Sequence, residues 1–187
     1  MFDRVTKFIG EESFQKINNA TVAVIGLGGV GGYAVECLVR SGIKKIIILD
    51  YDTVDISNIN RQIISNVENI TKYKTEEWQK RIKIINPNTE VISLNVKLDM
   101  SNIDMLFSYK IDPSLLEVTD IKNTSYDPIA KKIRKYLKDN NIKGNLPVVY
   151  SREQNNSFTG SVPSMIFTPA VSGILCANYI IRKIIEK

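Results

Sequence analysis

The chain alternates between short, wholly apolar runs and longer segments whose apolar residues recur every three or four positions. "TVAVIG" (21–26) and "KKIIILD" (44–50) are β-branched and almost uninterrupted, the mark of strands covered on both faces. Between them Val30, Ala34, Cys37, Leu38 and Ser41 fall at helical spacing, and Gly42 suits the position just past that helix. Strand, glycine turn, helix and strand within about 30 residues predict a right-handed βαβ unit. Phe14 and Ile17 mark a short helix over 11–18. Residues 53–71 are polar, Asn-rich loop and turn. "KTEEWQKRIKIINP" (74–87) is an amphipathic helix with Trp78, Ile82 and Ile85 on one face, stopped at Asn86-Pro87. "EVISLNV" (90–96) alternates like a third strand, and Ser101 caps a further helix.

After Phe107 the pattern breaks. A doubly wound sheet needs a buried strand here, to cross back past the first strand. The chain offers the turn-like "SYKIDPS" instead. "LLEVTDI" (115–121) and "LPVVYS" (146–151) read as strands, and "SMIFTPA" (164–170) as another. "DPIAKKIRKYLKDNNI" is a helix with Asp127 as cap and Pro128 in its first turn; residues 169–187 form the last helix. "QNNSFTG" (154–160) is loop. The fold class expected is α/β, a Rossmann-like, doubly wound, mostly parallel sheet flanked by helices and incomplete in its centre, with 1–187 as one domain.

Composition adds exclusions. With no histidine in 187 residues, Ser-His and Cys-His mechanisms are excluded. The two cysteines, Cys37 and Cys176, form no C-x-x-C pair and sit on apolar helix faces, as packed thiols do. No apolar run approaches the ~18 residues of a membrane span, and the chain reads as cytoplasmic. A net charge of +5 is compatible with a polyanionic partner. The run Lys131, Lys132, Arg134, Lys135, Lys138 and Lys143 fits either an RNA backbone or a solvated helix face, and Tyr126 or Tyr136 either a stacked base or ordinary packing.

The chemistry begins at the glycine turn. Gly26, Gly28 and Gly31 satisfy G-x-G-x-x-G between a strand and a helix: the first for the tight turn, the second for close approach of phosphate, the third for helix packing. Gly29 belongs to the same turn. Asp50, at the tip of the second strand, is placed for ribose hydroxyls, with Asp52 beside it. This much does not separate NAD from ATP. Downstream, Asn58, Arg61 and Lys74 supply an amide and two cations near the nucleotide, which suits a triphosphate attacked at its α-phosphorus.

"GLGGVGG", "LDYDTVDISNINRQI" and "INPNTEV" resemble the ThiF/MoeB/HesA group of ubiquitin-activating-enzyme-like adenylyltransferases, and the likeness runs through nearly the whole chain. It implies ATP with Mg2+ as cofactors, and the phosphates served by Asn58, Arg61 and Lys74. It also implies a homodimer in which Arg4 enters the neighbouring subunit's site. "FDRVTKFIGEESFQKI" and "GSVPSMIFTPAVSGILCANYIIRKII" point within the group to a tRNA-modifying branch. There the activated carboxyl belongs to threonylcarbamoyl-adenosine in a tRNA anticodon loop, and a sulfur-transfer protein is a further partner to expect. Members carry about forty more residues between the equivalents of Phe107 and Lys110, including the aspartate that works with magnesium. Asp99, Asp104 and Asp112 do not match it, so the metal-binding residue is unknown. Either the sequence omits residues of the natural protein, or the gene is a shortened copy, or another segment such as 115–121 fills the slot. The rival functions are adenylation of a ubiquitin-like sulfur carrier and a nucleotide-binding or dimerisation module without catalysis.

Overall fold

The computed structural model describes residues 1–96, 111–125, 127–153 and 165–187. Ser101, Asp99, Asp104 and the 154–160 loop lie outside them, as do Tyr126 and the side chain of Tyr136. Three parallel strands, β1 (Thr21–Ile25), β2 (Lys45–Leu49) and β3 (Glu90–Leu94), pair in the order β1-β2-β3. Between them run α3 (Gly31–Arg40) and α4 (Lys74–Ile85); α1 (Asp3–Ile9) and α2 (Glu11–Asn18) precede the sheet. The expected α/β fold, a parallel sheet flanked by helices, is present.

Two right-handed crossovers advancing in one direction put both helices on the same face of the sheet. That face is the core. Val22, Ile46 and Val91 form one row across it, Val24 and Ile48 the next, packed against Val35, Leu38 and Val39 of α3 and Trp78 and Ile82 of α4. Glu36 of α3, nearly buried, receives the Arg81 guanidinium through both oxygens (2.7 and 3.0 Å) and Arg40 at 2.7 Å. Burial pushes its carboxyl up, but the two guanidiniums outweigh burial and hold it below the usual glutamate range.

The other face corrects an expectation. β1 is not covered on both sides: its residues alternate between exposed and buried, and Ile25 is 42% exposed. Ala23, Ile47 and Ile92 line up on this face, as do Ile25, Leu49 and Leu94. Among the described residues β1 has β2 as its one neighbour. Nor does 115–121 fill the vacant slot. β4 (Leu116–Asp120) pairs antiparallel with β5 (Pro147–Ser151) in a separate two-stranded sheet, packed on α6 (Phe167–Ile185).

The predicted strand at "SMIFTPA" runs, over its described part, from residues 165–166 into the first turn of α6. Pro169 is tolerated there because a first-turn N–H has no intrahelical partner to lose. α6 also packs on α3 so closely that a Cβ on Gly173 would lie 2.3 Å from the Val30 carbonyl oxygen. No helix among the described residues is long and apolar enough to cross a membrane.

Candidate functional site

The turn between β1 and α3 lies at the carboxyl end of the parallel strands, where open α/β sheets bind ligands. Gly26 adopts φ +81°, which side chains other than hydrogen rarely tolerate, and its N–H donates to Leu49 O at 2.8 Å. The next N–H, of Leu27, donates to Asp50 Oδ2 at 2.6 Å, while the Asp52 N–H donates to Asp50 Oδ1 at 2.8 Å. Asp50, 8% exposed, thus grips the glycine turn from the end of β2. Gly31 is required by space: a Cβ would stand 1.8 Å from the Gly26 carbonyl oxygen.

The N–H groups of Gly28, Gly29, Val30 and Gly31 meet no acceptor among the described residues. They open α3 at its positive end, roughly half a unit charge, and together make a ready anion site.

The cations arrive by different routes. Residues 52–54 zip against 71–74: Val54 N–H to Lys72 O (2.8 Å), Lys74 N–H to Asp52 O (3.1 Å) and a Thr53–Tyr73 bridge. Lys74, 3% exposed, is thereby held with Nζ 3.0 Å from Asp52 Oδ2. Arg61 packs beside the turn, its Cγ and carbonyl oxygen both 3.6 Å from where a Gly29 Cβ would be; its guanidinium donates to Ser57 O (2.7 Å) and Asn60 Oδ1 (3.1 Å). Asn58 is buried as part of a capping box, its side-chain oxygen accepting from the Asp55 N–H. The structure therefore brings the glycines, Asp50, Asp52, Lys74 and Arg61 together.

Residues 2–124 match the model of the ThiF family. The chain belongs to the ThiF family. It is 28% identical to the tRNA threonylcarbamoyladenosine dehydratase of Bacillus subtilis, over 99% of this chain and 94% of that protein. That alignment runs over 240 residues, although this chain has 187, so the relative carries residues without a counterpart here. The Escherichia coli enzyme of the same name is 31% identical over 81% of this chain and 73% of its own length. A crystal structure of E. coli tRNA N6-threonylcarbamoyladenosine dehydratase in complex with ATP superposes with a TM-score of 0.88 at 26% identity, covering 99% of this chain and 93% of that one.

Arg4 stands apart from the ThiF-type turn of its own chain. Phe2, two residues before it, packs with Phe14 at 5.8 Å between ring centroids, and both rings crowd Gly42, at the opposite end of α3. The ten residues of α3, about 15 Å, separate Gly42 from the glycine turn.

Sequence reading gave no role to Gln62, quoted only within "LDYDTVDISNINRQI", or to Thr168. Both are at least 97% buried, and Gln62 Oε1 and Thr168 Oγ1 have no hydrogen-bond partner among the described residues. Gln62 could have been found by its place directly after Arg61; Thr168 only through Pro169, whose Cβ lies 3.1 Å from the Gly29 Cβ position. Burial pushes the thiols of both Cys37 and Cys176 up, as packed cysteines require. No group of three or more His, Cys, Asp or Glu gathers as a metal centre among the described residues. Mg2+ commonly needs only one or two carboxylates beside substrate phosphates, so Asp50 and Asp52 are compatible with it without being assigned.

Proposed function

We propose that this chain activates a carboxylate with ATP and catalyses dehydrative cyclisation of threonylcarbamoyl-adenosine in a tRNA anticodon loop. The carrying observation is the row of four N–H groups at the start of α3 that meet no acceptor among the described residues, flanked by Lys74 and Arg61. Relatives that match nearly its whole length bear the dehydratase name. In this reading the α3 amides seat the phosphates, Lys74 and Arg61 offset charge that develops at the α-phosphorus, and Asn58 braces the segment carrying Arg61. Asp50 uses its remaining lone pairs for the ribose while it holds the turn, and Asp52 fixes Lys74.

A substrate carboxylate oxygen bonds to the α-phosphorus, and pyrophosphate leaves. A nitrogen of the same threonylcarbamoyl group then attacks the carboxyl carbon, the ring closes, the nitrogen's proton is released to solvent, and AMP leaves carrying the former carboxylate oxygen. The internal nucleophile has an effective concentration of ~10⁵ M or more in favourable cases. Mg2+, where bound with the triphosphate, would offset its charge. Arg4 serves the site of a second copy in a homodimer, since its own turn lies a helix length away. A sulfur-transfer protein is a further partner in this reading, and the cytoplasm is its location. The chain is one ThiF-type unit, and the residues that longer relatives possess fall between Phe107 and Lys110.

The test is incubation with ATP, Mg2+ and tRNA bearing the modified adenosine. Release of AMP together with loss of one water from the nucleoside supports the proposal. AMP release only with a ubiquitin-like carrier transfers it to carrier adenylation. ATP binding without AMP release from either substrate leaves a nucleotide-binding module.

A further inference from the structure

We infer that the outward stripe of α5 (Pro128–Asp139) formed by Lys131, Lys135 and Lys138 is a docking track for an RNA phosphate backbone, an inference that rests on the tRNA reading above. The basic run looked undivided in the sequence, but the fold sorts it. Arg134 turns inward: its guanidinium donates to Ile121 O at 3.1 Å and to Thr124 Oγ1. It is a latch that fixes the helix on the turn after β4. Asp127 caps the N-terminus, accepting from the Ala130 N–H at 2.9 Å. Ala130 is buried and Ile133 and Leu137 half-buried, so the apolar side of α5 faces the protein.

Lys131, Lys135 and Lys138 are all exposed. At ~100° per residue they lie within about 60° of arc, beside the apolar face, and rise along the axis by about 6 and 4.5 Å. None forms an ion pair among the described residues, whereas Lys45, Lys74, Lys80, Lys183, Arg40 and Arg81 each meet a carboxylate. Three cations without an ion pair among the described residues, on a helix held at its N-terminus by Asp127 and at its middle by Arg134, make a positive line. A polyanion with regularly spaced charges is its complement, and releasing counterions on contact gives the binding energy. A lipid surface fits less well, because the apolar residues that would insert are already turned inward.

The experiment titrates the full chain, and its Lys131→Gln/Lys135→Gln/Lys138→Gln variant, with a labelled tRNA transcript across a series of NaCl concentrations. A control removes three other exposed lysines, Lys7, Lys44 and Lys187. The track predicts that the α5 variant loses about 2 from the log–log salt slope and about 10²-fold in affinity near 0.1 M salt. The control should keep the wild-type slope, and ATP affinity should stay the same in all three proteins. An α5 variant with a wild-type slope overturns the track and leaves the tRNA reading standing. A wild-type chain that binds no tRNA overturns both. Loss in the α5 variant of binding to an acidic carrier protein, with tRNA binding intact, reassigns the surface and also overturns it.

Discussion

The two faces of the β1–β2–β3 sheet are built from the same kinds of residues and end in opposite conditions. On one, Val22, Val24, Ile46 and Ile48 are at most 8% exposed beneath α3 and α4. On the other, Ile25 and Leu94 are 42% and 40% exposed. The difference comes from connectivity. A sheet that advances in one direction wraps its helices onto one side, and only a return half clothes the other. The alignment with the dehydratase of B. subtilis runs over more positions than this chain possesses.

Substitutions along one strand test that contrast most sharply. Ile46→Ala and Ile48→Ala, on the covered side, should each cost about 2–5 kcal/mol in urea unfolding. Ile47→Ala between them should cost less than half as much; equal losses at the three positions would mean that both sides are packed. The next largest effect belongs to the carboxyl end of the sheet. Arg61→Ala and Lys74→Ala should each lower the rate of AMP release at least ~10²-fold, the scale of a lost charge contact in the transition state. Lys74→Met serves as a control that keeps side-chain volume. Near-normal rates would remove both residues from the chemistry.

The clamp that holds α4 to α3 gives a pH signature on the covered side. Because Glu36 has a folded pKa below its ordinary value, its contribution is complete above about pH 5 and is lost as pH falls through the ordinary glutamate value toward the lower folded one. Glu36→Gln should cost about 1–2 kcal/mol at neutral pH and flatten that acid limb. A variant whose stability falls as steeply with acid as the wild type would place the titrating group elsewhere. The smallest change is expected on the bare side. Ile25→Ser should alter stability by no more than about 0.5 kcal/mol while raising the solubility limit measured by light scattering.

Periodicity made every described strand legible within a residue or two, and α2 to α6 with them, because each carries an apolar stripe at its own spacing. It did not reveal α1, which is polar and buries no residue. It misjudged β1, since an apolar run records what a strand can bury and not whether the rest of the chain supplies the cover. That the glycines and Asp50 would lie close together was legible from local spacing. Asp50's hydrogen bond to Leu27, 23 residues away, was not, and neither were the inward turn of Arg134 or the orphaned oxygen of Gln62. Those depend on which groups the fold brings face to face.

The seating of Phe2 against Gly42 has a kinetic corollary. With Phe2 anchored at the far tip of α3, Arg4 starts about a helix length from the glycine turn of its own polypeptide. If that cation takes part, two polypeptides must meet to assemble one working centre. Turnover per chain would then decline on dilution while the dissociation constant for ATP held steady, and an inactive Lys74→Ala chain mixed with an inactive Arg4→Ala chain would recover activity.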